Sequence, residues 1–223
     1  MYDAVIFDWD GTLADTKDIV VTSFQKVLKQ IGCNVADEFI ERLIGTGSRN
    51  TFKEALKAQN IPLYERLIDK LVKRKIDIAV SLADRVKLLD GALELLESLN
   101  GRVKIALASM NNRRIIEKML EVTPIKRCFE VIITAEEVDK SKPDPEIFLK
   151  CASALASEPQ CCIVLEDSVF GVKAAKAARM KCIAVSTGAY SKRELDKAGA
   201  DMIVGSLTEK RRILRFILST EKR

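Results

Sequence analysis

The chain reads as an α/β protein: a doubly wound parallel sheet with an all-helical domain inserted after its first strand. Six short apolar runs, at residues 4–7, 103–107, 131–133, 162–165, 183–185 and 202–204, stay hydrophobic without alternating. That is the pattern of parallel strands covered on both faces. Amphipathic stretches at 92–99, 113–120, 146–155 and 169–178 lie between them, and strands alternating with helices build a sheet with right-handed crossovers. From about residue 15 to about residue 82 the rhythm stops and helical periodicity alone remains.

Taken in order, the run Ala-Val-Ile-Phe at 4–7 is the first strand, followed at once by Asp8. In the inserted region Ile19, Phe24, Val27, Leu28 and Ile31 trace one helical face, Phe39, Leu43 and Ile44 a second, and Phe52, Ala55 and Leu56 a third. Gly32, Gly45, Gly47 and the Asn60-Ile61-Pro62 stretch punctuate these faces. The expected division is therefore a core of residues 1–14 and 83–223 and a helical cap of residues 15–82. Near the end, a basic helix from about residue 208 to about residue 219 carries an apolar side of Ile213, Leu214, Phe216 and Ile217 that suits packing on the sheet. There is no internal repeat and no low-complexity segment.

Composition narrows the chemistry. The 223 residues contain no histidine, which removes Ser-His-Asp and Cys-His catalysis and imidazole acid–base schemes. A hydrophobic fraction of 48% supports a sizeable core, and the net charge of +5 is mild. Part of that charge sits on Lys210, Arg211, Arg212, Arg215, Lys222 and Arg223. With one Trp and three Tyr, the chain lacks the basic, aromatic-laced stripe of a nucleic-acid reader. The cysteines at 33, 128, 151, 161, 162 and 182 include no CxxC pair, and those at 161, 162 and 182 fall in apolar runs that suit buried, reduced thiols. No apolar run reaches the roughly 20 residues that span a bilayer, and no signal peptide is expected at the N-terminus. The expectation is a soluble, cytoplasmic monomer with no membrane or nucleic-acid partner.

Ligands of open α/β sheets bind beyond the carboxyl ends of the strands, so the residues there carry the functional reading. After the first strand stands Asp8-Trp9-Asp10-Gly11-Thr12-Leu13. Its two acids point to one side, and Gly11 permits a sharp turn; an ordinary Asp-Gly turn uses the same residues. After the second strand stands Ser109-Met110-Asn111-Asn112, either a helix cap formed by Asn111 or a hydroxyl with backbone N–H groups able to hold an oxyanion. The third supplies Lys140-Ser141-Lys142-Pro143-Asp144-Pro145, a lysine in a proline-fixed loop that suits a cation beside a phosphoryl group. The fourth supplies Glu166-Asp167-Ser168, acids that suit a helix start or a hard divalent cation.

In this order the four strand ends resemble the haloacid dehalogenase (HAD) superfamily, in its phosphatase and phosphomutase branch, whose Rossmann-like core carries a helical cap in the same place. The resemblance rests on Phe7-Asp8-Trp9-Asp10-Gly11-Thr12-Leu13, Leu107-Ala108-Ser109, Lys142-Pro143-Asp144-Pro145 and Leu165-Glu166-Asp167-Ser168. It implies that Asp8 is the nucleophile that becomes an aspartyl phosphate and that Asp10 is the acid and then the base. Ser109, Lys142, Gly11, Thr12 and Met110 would surround the transferring phosphoryl group. Asp8 and Asp167, with the Asp10 backbone carbonyl and Glu166, would hold Mg2+. Trp9 departs from the aliphatic residue usual at its place and is expected to face into packing. In the cap, Gly45-Thr46-Gly47-Ser48-Arg49 with Arg74 and Lys75 looks like the substrate-facing loop and basic residues of β-phosphoglucomutase-like caps, with Arg49 either on a second anionic group or in solvent.

The resemblance implies a Mg2+-dependent phosphatase hydrolysing a small phosphorylated metabolite, a sugar, polyol or phosphoglycolate-like ester. The alternative is a β-phosphoglucomutase-type phosphomutase. Such mutases tend to carry a histidine early in the first cap helix, near Val20 here, and this chain has none. A phospho-acceptor module of receiver type also keeps acids, a hydroxyl and a lysine near strand ends, but lacks a large helical insertion after the first strand.

Overall fold

The computed structural model describes residues 2–219; Lys222 and Arg223 of the basic C-terminal group lie outside the described residues. Strands β1 (Ala4–Phe7), β4 (Lys104–Ala108), β5 (Val131–Ile133), β6 (Cys162–Glu166), β7 (Lys181–Val185) and β8 (Met202–Val204) form one sheet. Its order is β5-β4-β1-β6-β7-β8, and every pairing is parallel. The six runs expected from the sequence are these strands; three coincide with them and the other three have ends displaced by one or two residues.

Period two divides each continuous apolar run between the faces of the sheet. Val5, Phe7, Ile105, Leu107, Ile163, Leu165, Ile183 and Val185 pack against α5 (Ala92–Leu99), α6 (Arg113–Glu121) and α10 (Lys210–Leu218). Ala4, Ile6, Ala106, Ala108, Cys162, Val164, Cys182 and Ala184 face α7 (Glu146–Ala154), α8 (Val169–Ala177) and α9 (Lys192–Lys197). The second face is rich in Ala and Cys. The expected apolar side of α10 is borne out through the buried Ile213 and Ile217. All six cysteines are free, but Cys161 is only half-buried, in a turn just before β6 and not inside the strand. No helix among the described residues is long and apolar enough to cross a membrane.

Between β1 and β4 the chain builds α1 (Lys17–Lys29), α2 (Asp37–Glu41), α3 (Ser48–Ala58) and α4 (Glu65–Leu82). These close on a hydrophobic cluster of their own, which includes Val20, Phe24, Val27, Leu28, Ile40, Phe52, Leu56 and Ile68. The chain leaves and rejoins the sheet through β2 (Ala14–Asp15) and β3 (Lys87–Leu88), which pair antiparallel in a separate two-stranded ribbon. Two residues per strand leave no readable periodicity, so this ribbon had no signature in the sequence.

Phe52 is fully buried and meets Phe24 edge-on, with ring centroids 4.8 Å apart. Phe52→Ala is expected to cost about 3–5 kcal/mol of unfolding free energy, measured by urea denaturation. A loss below about 1 kcal/mol would show that the inserted helices do not depend on this contact.

Candidate active site

β1 is an inner strand, with β4 and β6 on either side; Phe7 stands in register with Leu107 and Leu165. The next residue of each strand end therefore converges on one place. Asp8 follows β1, Ser109 follows β4 and Asp167 follows β6, while Glu166 is the last residue of β6. The Asp8 amide continues the ladder by donating to the Leu165 carbonyl at 3.0 Å. Asp8, Asp10, Thr12, Ser109, Met110, Lys142, Glu166 and Asp167 are all buried and Gly11 is half-buried; of these, Asp8, Lys142, Glu166 and Asp167 meet in one cluster.

The centre of the site is the Lys142 ammonium, which donates to Asp8 Oδ1 at 2.5 Å and to Glu166 Oε1 at 2.6 Å. Both oxygens of Glu166 are engaged, because Oε2 accepts from the Asp167 and Ser168 amides, each at 2.9 Å, and from the Ser168 hydroxyl at 3.0 Å. Its carboxylate occupies space that only a glycine leaves free: a Cβ on Gly171 of α8 would come within 1.8 Å of it.

Burial pushes the Asp8 carboxyl well up from its ordinary value, against the pull of Lys142. Asp167 is likewise raised by burial, and further by Glu166 and Asp8. Burial works against the Lys142 charge, yet Asp8 and Glu166 outweigh it and hold the ammonium far above its usual range. Oxygens of Asp8, Glu166 and Asp167 lie within 4.8 Å of one another. Three carboxylates thus face one ammonium, and a hard, oxygen-seeking divalent cation fits the excess of negative charge. The Asp10 side chain stands outside this trio, which leaves its backbone carbonyl as the ligand the resemblance implies.

Asp10 is held by a different set of groups. Asn111 Nδ2 lies 3.0 and 2.7 Å from its two carboxylate oxygens, and the Thr16 hydroxyl donates to Oδ1 at 2.6 Å. Thr16 stands at the N-cap position of α1 without capping it, since its hydroxyl serves Asp10. Burial still raises the Asp10 carboxyl, against Thr16, Lys75 and Asn111. Asn111 was expected to cap the helix after β4. The cap is Asn112, which accepts from the Arg114 amide, because two adjacent asparagines can equally fill that role and the buried one is needed elsewhere. The Asn111 amide donates to Ser109 Oγ at 3.1 Å, and its side-chain oxygen accepts from Lys75 Nζ at 3.2 Å.

Lys75 is therefore the basic residue of the inserted helices that reaches the site. It is 1% exposed, and its ammonium also stands 5.1 Å from the centre of the Phe24 ring. Arg74 is exposed. Arg49 is half-exposed on the first turn of α3 and ion-paired with Glu65 and Asp69; sequence reading could not see that α4 brings both acids to it. Arg49 does line a cavity of about 490 Å3, together with Gly47, Met110, Asn112 and Ser141. A second cavity, of about 250 Å3, is lined by Gly11, Thr16, Glu41, Asp167, Thr187 and Tyr190. Trp9 turns into the core as expected, fully buried, with its Nε1–H directed at Met119 Sδ 3.2 Å away. Thr12 Oγ1 is buried without a hydrogen-bond partner.

At the rim, Arg42 clasps the inserted helices to the sheet side. Its guanidinium bonds Glu194 at 2.7 Å and lies 4.6 Å from the Tyr190 ring centre, while the Tyr190 hydroxyl donates to the Arg42 carbonyl at 2.5 Å.

Burial draws the Lys75 ammonium down from 10.5 to about 8, more than Asp10 restores. Between those values the unfolded chain binds more protons at this residue than the folded one, so its contribution to stability rises with pH. From pH 8 to 10.5, wild type should gain on Lys75→Met by up to about 3 kcal/mol, read from urea titrations at each pH. A constant difference between the two proteins would mean that Lys75 titrates as in water.

Comparison with known proteins identifies the family. The family model of haloacid dehalogenase-like hydrolases matches residues 5–185. Hexitol phosphatase B of Escherichia coli K12 is 31% identical over 210 residues, covering 92% of this chain and 93% of that protein. The bifunctional riboflavin kinase/FMN phosphatase of Arabidopsis thaliana is 32% identical over 207 residues, 92% of this chain, and the chain spans 53% of that longer protein. Among solved structures, β-phosphoglucomutase from Clostridium difficile superimposes with a TM-score of 0.84 at 28% identity, over 98% of this chain and all of the other. On the family-model match, which spans most of its length, the chain belongs to the family of haloacid dehalogenase-like hydrolases.

Proposed function

We propose that the chain is a Mg2+-dependent phosphatase that hydrolyses a small phosphorylated metabolite, a sugar or polyol phosphate first among candidates, through an aspartyl phosphate on Asp8. The observation that carries this reading is the pairing of two differently held acids. Asp8 is bound to the Lys142 ammonium inside the carboxylate cluster, and Asp10 is held apart from it by Asn111 and Thr16.

A carboxylate oxygen of Asp8 attacks phosphorus, and the ester P–O bond breaks as Asp10 gives its proton to the departing alkoxide. Asp10, now a carboxylate, takes a proton from water. The resulting hydroxide attacks the aspartyl phosphate, releasing inorganic phosphate and restoring Asp8. The upward pull of burial on Asp10 suits a group that must begin protonated. Phosphoryl transfer depends on positioning and charge neutralisation; Lys142, the Ser109 hydroxyl and the backbone around Gly11 and Thr12 provide these for the transferring oxygens. Mg2+, held by Asp8, Asp167 and the Asp10 carbonyl with Glu166 behind them, would offset the charge of the phosphate that an anionic nucleophile must approach.

Hexitol phosphatase B supports the polyol or sugar class. Lys75, beside Asp10, is the cation of the inserted helices best placed for a second polar or anionic group, ahead of Arg49. A monomer of the cytoplasm belongs to the same proposal, and the six free cysteines accord with a reducing compartment. A phosphomutase is the second reading, favoured by the likeness to β-phosphoglucomutase. It is weakened because Val20 is packed into the apolar cluster of the inserted helices where such mutases tend to carry histidine.

The test is phosphate release from a panel of sugar, polyol and two- to three-carbon acid phosphates with Mg2+. A parallel assay holds β-glucose 1-phosphate with a trace of bisphosphate. Release from one narrow group of esters is expected, and Asp8→Asn should lower it by roughly 10³-fold or more. Retained turnover in that variant would sink the mechanism, and isomerisation without release would make the protein a mutase.

A further inference from the structure

We infer that Gly188, on the loop after β7, is a positioning residue that sets the Asp167 carboxylate by leaving it room. The other acids of the site are fixed by hydrogen bonds: Asp8 by Lys142, Glu166 by Lys142 and two backbone amides, Asp10 by Asn111 and Thr16. Among the described residues, none donates a hydrogen bond to the Asp167 carboxylate, although it is 7% exposed and repelled by Glu166 and Asp8. Shape holds it instead. A Cβ on Gly188 would stand 1.9 Å from Asp167 Oδ2, and one on Gly11 2.3 Å from the same oxygen, where real contacts essentially never fall below 3.0 Å. Oδ2 is thus threaded between two loops, which are tied together where the Thr187 hydroxyl donates to the Gly11 carbonyl.

The two glycines are not equivalent. Gly11 has φ of +71° and needs to be glycine for its backbone alone. Gly188 has no such φ, so space for Oδ2 is the reason for glycine there. A methyl group at Gly188 must displace the carboxylate by about 1 Å, beyond the roughly 0.5 Å within which a functional constellation has to be held. A fifth strand end therefore shapes the cation site, through an atom it omits.

The metal arm of the test rests on the proposed Mg2+ reading; the stability arm does not. Mn2+ and Mg2+ are titrated into the full chain and its Gly188→Ala variant by calorimetry, with Mn2+ binding also followed by its electron paramagnetic resonance. Gly188→Ala should weaken both ions by roughly 10- to 100-fold, as disturbance of groups that orient metal ligands does. In parallel, metal-free urea midpoints are compared for wild type, Gly188→Ala, Asp167→Ala and the double variant. Gly188→Ala should lower the midpoint of wild type and cost clearly less in the Asp167→Ala background, where the carboxylate clash is gone and only a 3.2 Å contact with the residue-167 Cβ remains. If Gly188→Ala alone fails to fold while the double variant folds, the inference stands. Ion affinity within about 3-fold of wild type, or an equal midpoint loss in both backgrounds, would overturn it; so would failure of the double variant to fold, since the loop backbone would then be what needs glycine. Should wild type bind neither ion, the cofactor reading falls, and the urea cycle alone decides for or against Gly188.

Discussion

The arrangement turns on one buried ammonium. Lys142 sits between Asp8 and Glu166 with its side chain fully sequestered from water, and without it three carboxylates would share a water-poor pocket with no counter-charge. Breaking such a pair from one side leaves an uncompensated buried charge, which is far costlier than never forming it. The lysine comes from the loop beyond β5, the edge strand, while its partners come from β1 and β6 inside the sheet. The loop has to cross the ends of β4 and β1 to deliver it, so the charge balance of the site and the path of the chain are one constraint.

Around that centre the protein uses two means of fixing acids. Hydrogen bonds hold Asp8, Asp10 and Glu166, and each bond also biases protonation. Empty space holds Asp167, and Gly171 does the same for Glu166 from behind. A donor beside Asp167 would compete with a cation for the carboxylate lone pairs. Close-packed backbone constrains the group and leaves those lone pairs unspent.

Much of this was legible from the sequence, for a local reason. Asp8, Ser109, Lys142 and Asp167 stand just past strands or in the loops that follow them, and the hydrophobic runs that mark strands also mark the places where polar residues converge. The roles that sequence did not reveal depend on distant partners. Asn111 looks like its neighbour Asn112 until Asp10 is seen beside it. Arg49 looks free until α4 supplies Glu65 and Asp69, and Lys75 looks like any lysine of an amphipathic helix until α4 is packed over the strand ends. Gly188 shows no special backbone, so only the position of another residue's oxygen explains it.

The ribbon of β2 and β3 carries a mechanical consequence. The inserted helices are joined to the sheet by two chain crossings only, and these run side by side, paired through Ala14–Leu88 and Asp15–Lys87. Two adjacent, cross-bonded crossings resist sliding and separation, leaving rotation about their common line as the soft direction. A movement of the helices against the sheet would then be a turn about that line, opposed by the Arg42–Glu194 and Tyr190–Arg42 bonds at the rim. Thr16 directly follows the ribbon, whereas Arg42 and Lys75 lie farther along the inserted helices. Such a turn would break the Lys75–Asn111 bond before the Thr16–Asp10 bond, because Lys75 stands about two helical turns from the end of α4 while Thr16 adjoins the ribbon.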